Sequence, residues 1–168
     1  MKTDPSIRSA KILVVDDSPD ALELMKRHLA PEGPTVVGAA SAEEASRLMK
    51  ATAFDLVITD MKMPRGSGLD LIRHIRTHYK AVGILMVTGY PSIGGAVEAV
   101  RLGAEDYLAK PFTKKELLDA VETTLSKQRR RMLGPPAAPA PSGLIGDSEP
   151  MQAVFHAIEK AAAVKANV

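Results

Sequence analysis

The chain has 168 residues, 22 basic and 20 acidic, for a formal charge of +2, with 45% apolar and 25% charged residues. That composition fits one globular domain with a short appendage and excludes disorder throughout. The lack of cysteine excludes a disulfide scaffold, a thiolate zinc site and a cysteine nucleophile, and the small net charge, with no tryptophan, gives no footprint for nucleic acid.

Residues 9–133 read as alternating strand and helix. Residues 11–16 are an apolar run ending in acid, a buried strand. Ser18 and Pro19 supply an N-cap and a proline at the first helical position, and a helix follows to about Leu29. Pro31, Gly33 and Pro34 break it. Residues 35–39 form a second strand. Ser41 with Glu44 three residues on is a capping box for a helix to about Lys50. Residues 56–60 form a third strand, again ending in acid, and a Pro-Arg-Gly-Ser-Gly loop follows at 64–68. Leu69, Ile72 and Ile75 mark the next helix. Residues 84–88 are a fourth strand, and a helix from Ser92 to Leu102 is stopped by Gly103. Residues 106–109 are a fifth strand. Thr113 with Glu116 is a second capping box, opening a helix that reaches Met132.

Strands separated by helices pair in parallel, because a parallel connection needs a crossover. The expected fold is therefore an α/β doubly wound, five-stranded parallel sheet with flavodoxin-like (βα)5 order. In such sheets sites form beyond the carboxyl ends of the strands. Asp16 and Asp17 end the first strand, Asp60 the third and Thr88 the fourth, while Lys110 follows the fifth. Three carboxylates together repel one another unless a cation joins them, and oxygen-only ligands select a hard ion such as Mg2+. Lys110 adds a positive charge for an incoming anion and Thr88 a hydroxyl donor, an arrangement suited to phosphoryl transfer onto a carboxylate.

Val14-Val15-Asp16-Asp17, Asp60-Met61-Lys62-Met63-Pro64, Thr88-Gly89 and Asp106-Tyr107-Leu108-Ala109-Lys110-Pro111-Phe112 resemble the landmarks of a response-regulator receiver domain, over roughly residues 9–127. The resemblance implies a CheY-like receiver fold. It implies that Asp60 is the phospho-acceptor, and that Asp16, Asp17, Asp60 and the backbone carbonyl of Lys62 hold Mg2+. Lys110 would pair with the phosphoryl group, Thr88 would hydrogen-bond it, and Tyr107 would be the switch residue that moves inward with Thr88. A histidine kinase or a small acyl phosphate would be the donor. Lys62 and Tyr90 would tune the lifetime of the phosphorylated state. Gly94 and Gly95, in the first turn of the fourth helix, would keep that segment soft enough to switch.

The last helix is long, and Leu118, Val121, Leu125 and Met132 space as a short coiled-coil seam interrupted by Gln128. Arg129, Arg130 and Arg131 suit the negative end of a helix. A homodimer is expected through this helix and the face made by the fourth helix, fifth strand and last helix. Residues 128–142 comprise the helix extension and a linker with four prolines in its last nine positions. From Gly143 to Gln152 the sequence resembles the opening of the AAA+ domain of NtrC/DctD-type sigma-54-dependent transcription activators, so residues 143–168 are expected to be the truncated start of that ATPase. The parent would contact sigma-54 RNA polymerase and DNA, and this fragment would not. No G-x-x-x-x-G-K-[ST] phosphate loop occurs in the sequence, so the expectation is a regulatory domain and not an enzyme.

Met1-Lys2-Thr3-Asp4-Pro5 lacks the apolar segment of a signal peptide, and no apolar run approaches the ~20 residues that span a bilayer. A cytoplasmic, non-membrane protein is expected. Two other readings compete. One is a Mg2+-dependent phosphatase with an aspartyl nucleophile, although position 62 is lysine where such enzymes usually carry a second acid. The other is a phosphorylation-independent dimerisation scaffold, against which the full acid set and Lys110 argue.

Overall fold

The computed structural model describes residues 4–134. Within them the strands are β1 (Lys11–Val15), β2 (Thr35–Ala39), β3 (Leu56–Asp60), β4 (Lys62–Met63), β5 (Gly66–Ser67), β6 (Gly83–Thr88) and β7 (Asp106–Ala109). Five of these make one parallel sheet in the order β2-β1-β3-β6-β7, while β4 and β5 form a small antiparallel ribbon. The helices are α1 (Pro5–Arg8), α2 (Pro19–Leu29), α3 (Ala42–Ala51), α4 (Gly68–His78), α5 (Ile93–Leu102) and α6 (Lys114–Leu133). The expected doubly wound sheet is present.

Alternation along the strands builds two cores. Leu13 and Val15 face one side with Val57, Ile84 and Met86, covered by α3, α4 and α5. Ile12 and Val14 face the other with Ile58, Leu85 and Val87, covered by α1, α2 and α6. Helices on both faces explain why the inner strands are continuous apolar runs and not alternating ones. The edge strand β2 stays partly exposed.

The helix starts follow their caps. Ser18 Oγ accepts from the Ala21 amide at 3.3 Å, with Pro19 in the first turn. At α6 the capping box is complete: Thr113 Oγ1 accepts from the Glu116 amide at 3.2 Å and Glu116 Oε2 from the Thr113 amide at 2.8 Å. At α3 it is half made, because the Glu44 carboxylate takes the Ala40 amide at 2.8 Å in place of the Ser41 amide.

Three features depart from the sequence reading. The four-residue α1 is additional: Asp4 caps it by accepting from the Ser6 amide at 2.8 Å, and Ile7 is buried in the core shared with α6. Of the 64–68 loop, Pro64 and Arg65 are the turn and Gly66–Ser67 the second strand of the β4–β5 ribbon, while Gly68 opens α4. The α6 stripe serves this chain's own core: Val121 and Leu125 are fully buried against the sheet, Leu118 packs beside them, and Met132 is exposed. Helical spacing marks an apolar face, and here the sheet covers it. Gln128, the polar interruption, donates to the Ala81 carbonyl at 2.7 Å. The Met151–Ile158 face and the linker at 135–142 lie outside the described residues.

Candidate functional site at the carboxyl edge of the sheet

Strand order decides where the site forms. From β1 the chain goes outward to β2, then crosses back to β3 on the other side of β1. Opposed connections leave a crevice beyond the carboxyl ends of β1 and β3. Asp16 and Asp17 follow β1, Asp60 closes β3, Thr88 closes β6, and Lys110 follows β7. The fold thus brings these five residues to one edge.

Asp16, Asp17 and Asp60 each offer a carboxylate oxygen, and these atoms lie within 4.8 Å of one another. Asp16 is buried, Asp60 partly buried and Asp17 exposed. Asp16 Oδ1 accepts from the Ser18 amide at 2.9 Å, while its Oδ2 accepts from Lys110 Nζ at 2.7 Å. Asp60 Oδ1 accepts from the Met61 amide at 2.8 Å, and its Oδ2 lies 3.6 Å from Lys110 Nζ. Burial raises the Asp60 pKa above the usual carboxylate value. Lys110 opposes this, the Asp16 charge adds to it, and the Met61 and Lys62 amides oppose it. Three carboxylates face one ammonium, so the cluster is under-neutralised and its donors are all oxygen. That chemistry fits a hard divalent cation with several water ligands.

Gly68 makes the path of the loop after Asp60 possible. Its amide donates to the Met61 carbonyl at 2.8 Å. A Cβ on Gly68 would stand 2.0 Å from the Asp60 carbonyl oxygen, a distance only glycine avoids. The sequence reading treated Gly68 as a loop residue. A glycine directly before a helix was the available signal, but nothing local shows that its neighbour is Asp60.

The remaining residues surround the cluster. Thr88 is fully buried, and its Oγ1 accepts from the Tyr90 amide at 3.0 Å, which leaves its O–H to donate. Tyr107 is 3% exposed, so its ring points into the core from β7. Burial raises the phenol's pKa; the Ser92 amide lowers it and the Asp60 charge raises it. Lys62 sits in β4, and its Nζ lies 4.3 Å from the centroid of the Tyr90 ring, a cation–π contact at the rim. Lys62 is otherwise exposed.

A (βα)5 sheet of this order, with an acid cluster and a lysine on its carboxyl edge, defines the CheY-like receiver class of α/β modules. The chain belongs to the response regulator receiver domain family, whose model matches residues 12–122. It is 38% identical over 160 residues to the response regulator protein PilR of Pseudomonas aeruginosa, covering 94% of this chain and 35% of that protein. It is 34% identical over 158 residues to the transcriptional regulatory protein ZraR of Salmonella typhimurium, covering 94% of this chain and 36% of that one. The crystal structure of NtrX from Brucella abortus in complex with ADP superposes with a TM-score of 0.72 at 30% identity, over 81% of this chain and 31% of that chain. The chain therefore spans about a third of the length of these relatives. Among the described residues no helix is long and apolar enough to cross a membrane.

Proposed function

We propose that this chain is the phospho-accepting module of a two-component response regulator, with Asp60 as acceptor. The carrying observation is the position of Lys110 Nζ, 2.7 Å from Asp16 and 3.6 Å from Asp60, at the mouth of the acid cluster. A carboxylate oxygen of Asp60 attacks the phosphorus of a phosphohistidine in a kinase, or of an acyl phosphate. The new O–P bond forms as the bond to the donor's nitrogen or oxygen breaks, and that atom keeps the electron pair. Lys110 pairs with the phosphoryl oxygens, and Thr88 donates its O–H to one of them. Asp16, Asp17, Asp60 and the Lys62 carbonyl hold Mg2+, which when bound neutralises negative charge on the transferring group. Tyr107, already inward, fills the space beside Thr88.

In this reading the receiver is residues 9–127, residues 128–142 are extension and linker, and residues 143–168 open an AAA+ domain. Likeness to PilR and ZraR along 94% of the chain supports a transcription-regulating parent of the sigma-54 activator class, located in the cytoplasm. Phosphorylation then governs a downstream ATPase through a homodimer on the α5–β7–α6 face. The exposed Tyr90 beside that face and Ile93 on α5 support such a contact. An aspartyl phosphatase is disfavoured by lysine at position 62, which is turned onto Tyr90.

Intact mass after incubation with Mg2+ and acetyl phosphate tests the proposal. One phosphoryl group should add to the wild type and none to Asp60→Asn. A wild type that gains no adduct overturns it, and turnover of external phosphate esters would restore the phosphatase. Solution mass in the same samples reports the dimer.

A further inference from the structure

The last two turns of α6 are held to the body by an ionic cluster centred on a buried glutamate, at the edge of the sheet opposite the acids. Glu105, just before β7, has a side chain 8% exposed, between Arg76 of α4 at 2.8 Å and Arg131 of α6 at 2.9 Å. Its Oε2 also accepts from the Ile84 amide at 2.6 Å, and its carbonyl accepts from Lys127 Nζ at 3.1 Å. Arg76 further donates to the Gly103 carbonyl at 2.7 Å and the Val82 carbonyl at 2.6 Å. Arg131 donates to the Lys80 carbonyl and, at 3.1 Å, to the Val82 carbonyl. Burial lowers the Arg76 pKa, and the Glu105 charge opposes that. Gly103 is required here: its φ is +122°, and a Cβ would meet the Arg76 side chain at 2.5 Å.

Strand β7 (Asp106–Ala109), flanked by bends at 105 and 110, lies between this cluster and the acid site. Glu105 stands at its amino end, Tyr107 points into the core from its middle, and Lys110 touches Asp16 at its carboxyl end. Extended residues rise about 3.3 Å each, so the two ends are roughly 17 Å apart. A strand is stiff along its length, so a shift at its Lys110 end would be passed towards Glu105. Arg131 follows through a charge-assisted hydrogen bond.

We propose that Glu105 is a relay: it anchors the end of α6 to β7, so that rearrangement around Lys110 sets the position from which the chain continues past Gly134. Arg131, Arg76 and Lys127 are its positioning partners. The relay rests on the phospho-acceptor reading of Asp60, whereas the anchor does not. A simple staple would hold α6 in both states of the acid site; a relay makes its hold depend on that state.

Hydrogen exchange of residues 124–133 in the full 168-residue chain, with Mg2+ and with or without acetyl phosphate, separates the two. Arg131→Ala should speed exchange of the last turns of α6 by about tenfold or more before phosphorylation, because it removes the ion pair with Glu105 and the hydrogen bonds to the Lys80 and Val82 carbonyls. Peptides covering β1 and β3 should exchange as in wild type, which establishes that the variant folds, and Arg131→Lys should recover part of the protection. In the wild type phosphorylation should change exchange of these turns; in Arg131→Ala the Asp60 adduct should form but that response should vanish. Adduct formation with no change at α6, or with the same change in both proteins, overturns the relay. If the wild type gains no adduct, the acceptor reading fails. The anchor is then judged on the unphosphorylated pair, and equal exchange there overturns it.

Discussion

Lys110 is hydrogen-bonded to Asp16 and only ion-paired with Asp60: its ammonium lies 2.7 Å from the first carboxylate and 3.6 Å from the second. The cation thus sits on the buried acid, 0.9 Å nearer to it than to Asp60 (3.6 − 2.7). Asp16→Asn keeps an oxygen for the Ser18 amide but removes the charge that holds Lys110 and that, in the proposed function, would help to hold Mg2+. Affinity for Mg2+ should fall by about 10- to 100-fold, read by titration calorimetry. Unchanged affinity would remove Asp16 from the metal set.

Gly68→Ala should be among the most damaging single substitutions. Its methyl would overlap the Asp60 carbonyl, a backbone atom that has no room to withdraw. The expected loss is about 3 kcal/mol or more in urea unfolding, with slower uptake of phosphoryl groups at Asp60. A variant as stable as wild type would mean the loop relaxes freely.

Gly94→Ala should act in the opposite direction. Nothing lies within 4 Å of a Cβ there, whereas at Gly95 a Cβ would meet the Met61 side chain at 2.6 Å. Alanine at 94 should therefore stabilise the chain by about 0.4–1 kcal/mol, read as a shifted urea midpoint. If softness of this turn serves switching, the phosphorylation-induced change at α5 should shrink as well. A stabilised variant with an unchanged response would assign Gly94 no part in the switch.

Asp106 predicts a pH dependence. Its carboxyl is buried and its pKa raised, first by burial, with the Tyr107 amide and Lys127 pulling the other way. The folded chain then holds this proton more tightly than the unfolded chain. The group's contribution is most favourable below the unfolded value of about 3.9 and is lost as pH rises through the folded one. Asp106→Asn keeps an acceptor for the Tyr107 amide, made at 2.8 Å, but never ionises. Its melting temperature should exceed that of wild type near pH 7, and the gap should close towards pH 4. A gap independent of pH would exclude this cause.

The strands and the acid edge were legible because short apolar runs ending in Asp16 and Asp60 alternate with capped helices. Local chemistry sufficed there: Ser18-Pro19 starts α2 and Thr113 with Glu116 starts α6. What escaped depends on distant partners. Glu105 is one of two adjacent acids at the start of a strand, and its partners Arg76 and Arg131 are 29 and 26 residues away in sequence. Arg131 was read as a favourable charge for a helix end, yet its hydrogen bonds are to the carbonyls at 80 and 82. The four-residue α1 is too short to show a period, although Asp4-Pro5 carried the cap signal.

Helix α1 lies against α6, with Asp4 4.0 Å from Arg129, so both described ends of the chain meet at the pole opposite the acids. A partner fused at either end, or a loop closing residue 134 onto residue 4, would leave the acid edge of the sheet open. The domain is wired like a plug with both leads at its base, which suits it to insertion ahead of many kinds of effector.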